Sequence, residues 1–228
     1  MEMIPVDTLT AGTRATYDVL MERLEQAAST DPERNDPRSR YPVTDTFLAS
    51  ASRHVNAATA VLVPAARKRL PDGAARGHAF IAQVRRLEAA MAQVKARLYG
   101  STYAIGRTWS SVWDDARIEL EATRTLEAEL CRDLDQRREE GDPDWTDKLY
   151  RAELHAPTRP HPFVPHQGVR GRLAREVALR VDRFWDMAEG RMAPEPVRHH
   201  DREHQGRLTQ YLLADPHFDE EEPDTPSL

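Results

Sequence analysis

The spacing of the apolar residues constrains this chain most: they recur every three or four positions over several long stretches, and no stretch alternates convincingly with a period of two. Such spacing puts side chains on one face of an α-helix and argues against a sheet. The longest stripe is Trp109, Val112, Trp113, Ala116, Leu120, Thr123, Leu126, Glu127, Leu130 and Leu134, which predicts a helix from Thr108 to about Glu140. A first helix is expected from Thr10 to Ala28, with Tyr17, Leu20, Met21 and Leu24 inward. A second starts near Thr44 or Asp45, either a good N-cap, and turns Phe47, Leu48, Ala51, His54, Val55, Ala58, Val61, Leu62 and Ala65 inward. A third carries Phe80, Ile81, Val84, Leu87, Met91, Val94 and Leu98, and a further one Leu173, Val177, Val181, Phe184, Trp185, Ala188 and Met192. The fold class is all-α, and long amphipathic helices joined by turns imply a bundle.

Breakers divide the stripes. Asp31 to Pro42 reads as a linker, Pro64 should kink or end the second helix, and Leu70-Pro71-Asp72-Gly73 forms a turn. Gly141-Asp142-Pro143 closes the Thr108 helix, and the prolines at 157, 160, 162 and 165 make the following stretch extended. The expected organisation is an N-terminal helix and linker over 1–43, a helical core over 44–140, a Pro/His-rich strap over 141–168, C-terminal helices over 169–214 and a disordered acidic tail over 215–228.

Charge narrows the partners. The whole net charge of −6 is matched by the six acids of the tail, leaving 32 acids against 32 bases before it. With no basic excess, nucleic acid is not the expected partner. The apolar stretch His54 to Ala66 is too short to span a bilayer, and Met1-Glu2-Met3-Ile4-Pro5 lacks a basic region followed by an apolar run. Cys131 is the only cysteine, so no internal disulfide can form and a reducing, cytoplasmic setting is the default. No phosphate-binding glycine loop, Ser/His/Asp ordering or Cys-x-x-Cys pair appears, so nothing supports nucleophilic catalysis and the reading leans away from an enzyme.

Three further motifs carry a resemblance. His54-Val55-Asn56-Ala57-Ala58 followed by Leu62-Val63-Pro64, Gly77-His78 at the next helix start, and Thr123 to Glu127 in the Thr108 helix stand in matching order and spacing. In these the stretch 44–140 resembles the hemerythrin-like (HHE cation-binding) family, whose helices carry His-x-x-x-Glu motifs. The resemblance implies an up-down bundle with iron held between its helices. This chain departs from the pattern: Ala58 stands at a Glu position and Thr123 at a His position. The expectation is therefore a degenerate member without a full di-iron centre, acting as a non-catalytic binding or regulatory module for a protein or small-ligand partner. The alternative is a metal-binding protein, handling oxygen, nitric oxide or iron, with a rearranged site from His54, His78 and Glu127. His161 and His166 of the strap, near His155, are further candidate ligands. Against these stands a plainer reading: His54 buried and hydrogen-bonded, His78 exposed, the strap structural. His200 and His204 sit four apart on a polar stretch and read as solvated, while Trp109, Trp113 and Trp185 read as core anchors and Cys131 as a small buried residue.

Overall fold

The computed structural model describes residues 8–30, 38–100, 106–159 and residue 196. These residues form five α-helices and no strand: α1 Leu9–Ser29, α2 Tyr41–Arg69, α3 Gly73–Leu98, α4 Trp109–Gln136 and α5 Trp145–Leu154. Three begin on side-chain caps that satisfy otherwise orphaned amides. Thr8 accepts from Ala11 N, Thr108 from Ser111 N, and Asp144 from both Thr146 N and Asp147 N.

The first four helices surround one core in up-down-up-down order. The start of α1 meets the end of α4, where the Asp135 carboxylate accepts from Leu9 N at 3.2 Å and Thr10 N at 2.9 Å. A carboxylate at a helix N-terminus also complements the helix dipole. The end of α1 meets the start of α4, where Trp109 Nε1 donates to Ala28 O at 3.1 Å. α2 and α4 lie diagonally and run the same way: Phe47 packs on Trp113 near their starts, and Arg69 pairs with Glu139 and Asp142 beyond the end of α4. α5 then lies across α2 and touches α1. All five helices contribute to a single apolar cluster, from Leu9, Tyr17, Leu20 and Leu24 to Trp145 and Leu149. The N-terminal helix is thus a full bundle wall.

α2 departs from expectation at both ends. It starts at Tyr41, with Pro42 in its first turn, where the missing N–H leaves no helical bond unmade. It also continues through Pro64 to Arg69. Pro64 is exposed and Ala60, whose carbonyl loses its partner, is only half-buried, so water can reach that oxygen. The turn after Leu70 forms as predicted, with Gly73 N donating to Leu70 O at 3.1 Å. Glycine is obligatory there: a Cβ on Gly73 would lie 1.8 Å from Ala66 O. Gly77 is less tight: a Cβ there would lie 3.0 Å from Val63 Cγ1, so the Val63 side chain of α2 seats on the bare glycine of α3. The predicted helix over Leu173–Met192, the stretch 197–213 and the tail lie outside the described residues.

α5 is the element the sequence did not announce. Its ten residues fall inside the stretch read as a strap.

Candidate functional site

A polar centre in the bundle interior is built from four helices. His54 of α2 is 1% exposed and Glu127 of α4 is fully buried. The His54 Nδ1 lies 2.6 Å from Glu153 Oε1 of α5, and its Nε2 lies 3.1 Å from Glu127 Oε1. Tyr17 of α1 donates its hydroxyl to the other Glu127 oxygen at 2.9 Å and presents its ring edge-on to the imidazole, 5.2 Å between centroids. The two His54 contacts differ in quality. The Glu153 contact is an aligned hydrogen bond, whereas Nε2 and Glu127 Oε1 are close as ions but lack hydrogen-bond alignment.

Each ring nitrogen therefore faces a carboxyl oxygen. A bare nitrogen lone pair there would oppose an acceptor, so both nitrogens carry protons and the ring is an imidazolium. Burial works against that charge, but Glu127 and then Glu153 outweigh it, and the His54 pKa rises from 6.5 to about 10. Tyr17 is pushed well above its ordinary value by burial and then by Glu127. Cys131, one turn from Glu127 and 3.4 Å from the Thr13 hydroxyl, is likewise raised by burial first and Glu127 second, which keeps it a thiol.

The sequence-predicted positions separate here. His54 and Glu127 meet in the interior, and Ala58 and Thr123 are both buried. Thr123 donates its hydroxyl to Glu119 O of its own helix at 2.7 Å. His78 is a correction: it is exposed on the outside of α3, 3.3 Å from Arg67, and does not join His54. Gly77 faces α2, and the next residue along a helix is turned by about 100°, which carries His78 to the outer face. His161 and His166 lie outside the described residues, and His155 is exposed with its ring against Arg151 O at 3.0 Å.

These residues do not fit the di-iron centre that the resemblance implies. Ala58 has no donor atom, the Thr123 hydroxyl is bonded along its own helix, and both His54 nitrogens face carboxylates. Among the described residues no three His, Cys, Asp or Glu side chains are arranged to hold a metal ion.

Two members of the centre were missed from sequence. Tyr17 was read only as part of an apolar stripe, although a buried tyrosine needs a partner for its hydroxyl. Glu153 belongs to a helix that was not predicted. Its signal was Asp144 as N-cap followed by Trp145, Leu149 and Ala152, which leaves Glu153 beside Leu149 on the inward face. A second buried pair, Asn56 donating to Glu88 at 3.2 Å, joins α2 to α3.

Space near the centre is small. Between α1 and α5, beside Glu153, a cavity of about 10 Å³ is lined by Gly12, Thr13, Thr16, Leu149, Tyr150 and neighbours. The larger groove, about 310 Å³ on the α3–α4 surface, is remote from His54 and crossed by the Arg86–Glu119 ion pair. Compared with protein-family models, curated proteins and solved structures, the chain matches none.

Proposed function

We propose that this chain is a degenerate hemerythrin-like bundle that works as a non-catalytic binding or regulatory module, its interior held by a fixed ionic centre where the family holds iron. One observation carries the reading: both nitrogens of His54, the only histidine buried among the described residues, face carboxylates. An imidazolium has no lone pair to give a metal, and stripping its proton from between two carboxylates opposes coordination. Small side chains at 58 and 123 fill the space that ligands would take. The centre also offers no open position for a reacting molecule, so activity would reside in surface contacts with a protein or small-ligand partner.

Anaerobic loading with Fe(II), and separately with Zn²⁺, followed by elemental analysis tests the reading. Well under one metal per chain and an unchanged thermal midpoint are expected. Two irons per chain with oxo-bridge absorption would refute it. One metal per chain would favour the alternative, a rearranged metal site, which the unaligned approach of His54 Nε2 and Glu127 Oε1 supports.

A further inference from the structure

We propose that the Glu153 carboxylate is the resident occupant of a carboxylate-binding position on His54, and that α5 is a displaceable cover whose place there a small free carboxylate can take. The inference rests on the preceding reading in one respect, that His54 is a charged imidazole and not a metal ligand.

The geometry divides the centre into a fixed part and an added part. Glu127 and Tyr17 belong to the long helices α4 and α1, and with His54 they form a self-contained unit: Tyr17 donates to one Glu127 oxygen and His54 lies against the other. The Nδ1–H of His54 points away from that unit and needs one more acceptor. Glu153 supplies it at 2.6 Å, and it is the one member carried by a short helix. A ten-residue helix is marginal on its own, so α5 depends on its contacts for its shape. Its apolar anchors, Trp145 and Leu149, lie in its first half, while Glu153 sits in its last turn.

The seam beside Glu153 is also unlike the rest of the core. The α1 wall presents Gly12, Thr13 and Thr16 there, small or hydroxyl-bearing residues at the margin of an apolar core. The cavity there, about 10 Å³, is the size of one water. Only the last turn of α5 need move: Trp145 and Leu149 keep its first half anchored in the apolar core, and on the α1 side the last turn uncovers glycine and hydroxyl groups, which costs less than opening an apolar contact. What it reveals is the Nδ1–H donor of a buried cation, the group that now holds the Glu153 carboxylate and would hold another.

The test removes the resident and supplies a free one, with a chelator present throughout so that metal plays no part. Glu153→Ala should melt below wild type, and sodium acetate should raise its midpoint more than sodium chloride of equal ionic strength does. Wild type should respond far less, because a tethered carboxylate competes at high effective concentration. Glu153→Ala carrying His54→Phe as well should not respond. Glu153→Gln, which keeps the shape and fills the position with an amide, should fold and ignore acetate. If Glu153→Ala does not fold alone, refolding in acetate but not in chloride should restore its helical circular dichroism. No acetate-specific effect on Glu153→Ala, in melting or in refolding, would overturn the proposal. So would an equal effect on wild type, on Glu153→Gln or on the double variant. Metal uptake by wild type would refute the previous reading by a separate measurement, leaving the acetate result to stand on its own.

Discussion

α2 is held on two sides by opposite means. Against α3 it is held mainly by shape, with one buried polar pair, Asn56–Glu88: Gly73 lets the turn close on Ala66, and Val63 seats on Gly77. Against α5 it is held by charge, through the short His54–Glu153 bond, with only Trp145, Leu149 and Ala156 as apolar support nearby. A contact made by shape is insensitive to solution conditions but intolerant of an added atom. A contact made by charge accepts changes of volume but depends on protons and on every partner being present. The same helix therefore carries a rigid side and a conditional side.

The sharpest way to break the comparison is Glu127→Ala, which strands the Tyr17 hydroxyl and leaves the His54 cation with one of its two carboxylates. Removing one partner of a buried ion pair costs about 3–5 kcal/mol, and denaturant unfolding should show a loss of that order. On the shape side, Gly73→Ala puts a methyl group against Ala66 O, which is backbone and cannot swing aside. Overpacking of this kind costs about 1–3 kcal/mol, and the loss should be the same at pH 6 and pH 9.

A smaller effect separates the two sides by pH. The folded His54 pKa is raised to about 10 from 6.5, so its contribution to stability is complete below pH 6.5 and is lost as pH rises towards 10. Tyr17 and Cys131 also destabilise the fold in alkali, because burial keeps them protonated while the unfolded chain ionises, but only near and above their ordinary values of 10.0 and 9.0. Among the described residues the decline between pH 6.5 and about 8.5 therefore belongs to His54, and urea titrations should find it absent when His54→Phe is combined with Glu127→Gln and Glu153→Gln, which leaves no buried carboxylate behind at this centre. The smallest effect is expected at the surface. Arg117 pairs with Glu25 at 2.7 Å in a largely solvated setting, and Arg117→Ala should cost less than about 1 kcal/mol, shrinking further in high salt.

The conditional side was also the harder one to read from sequence. Long stripes with strong apolar contrast located α1, α3 and α4 to within a few residues, and they put His54 and Glu127 on inward faces. The Leu70–Gly73 turn was equally plain, because Pro, Asp and Gly each restrict the backbone locally. α5 was not plain: flanked by Pro143 and Pro157, it shows two apolar positions four apart and an acid that points inward only because a histidine ninety-nine residues away receives it. No local pattern encodes such a pairing. His78 failed for the converse reason, since its place in a family motif outweighed the helical phase that Gly77, Phe80 and Ile81 already set. α2 starts ahead of its expected N-caps because Pro42 breaks a helix only in its interior, and the first turn tolerates it.

The aromatic cluster at the start of α4 gives the molecule an optical signature. Trp109 and Trp113 stand 5.6 Å apart at 75°, with Arg40 stacked 4.6 Å over the Trp109 ring and the Trp109 indole N–H bonded to the end of α1. Two indoles so close and so fixed in relative orientation couple their excited states, and the coupling has a handedness that free tryptophans lack. The near-ultraviolet circular dichroism of this chain should therefore contain an exciton contribution that vanishes when either ring is replaced by phenylalanine. Both rings stand on α4, and the bond to Ala28 O fixes the orientation of Trp109, so the contribution should weaken when the end of α1 leaves the start of α4. Tyr17 lies in the interior beside His54, so the part of the tyrosine absorbance change on unfolding that is lost in Tyr17→Phe reports that region, and the order in which the two come apart can be followed without any attached label.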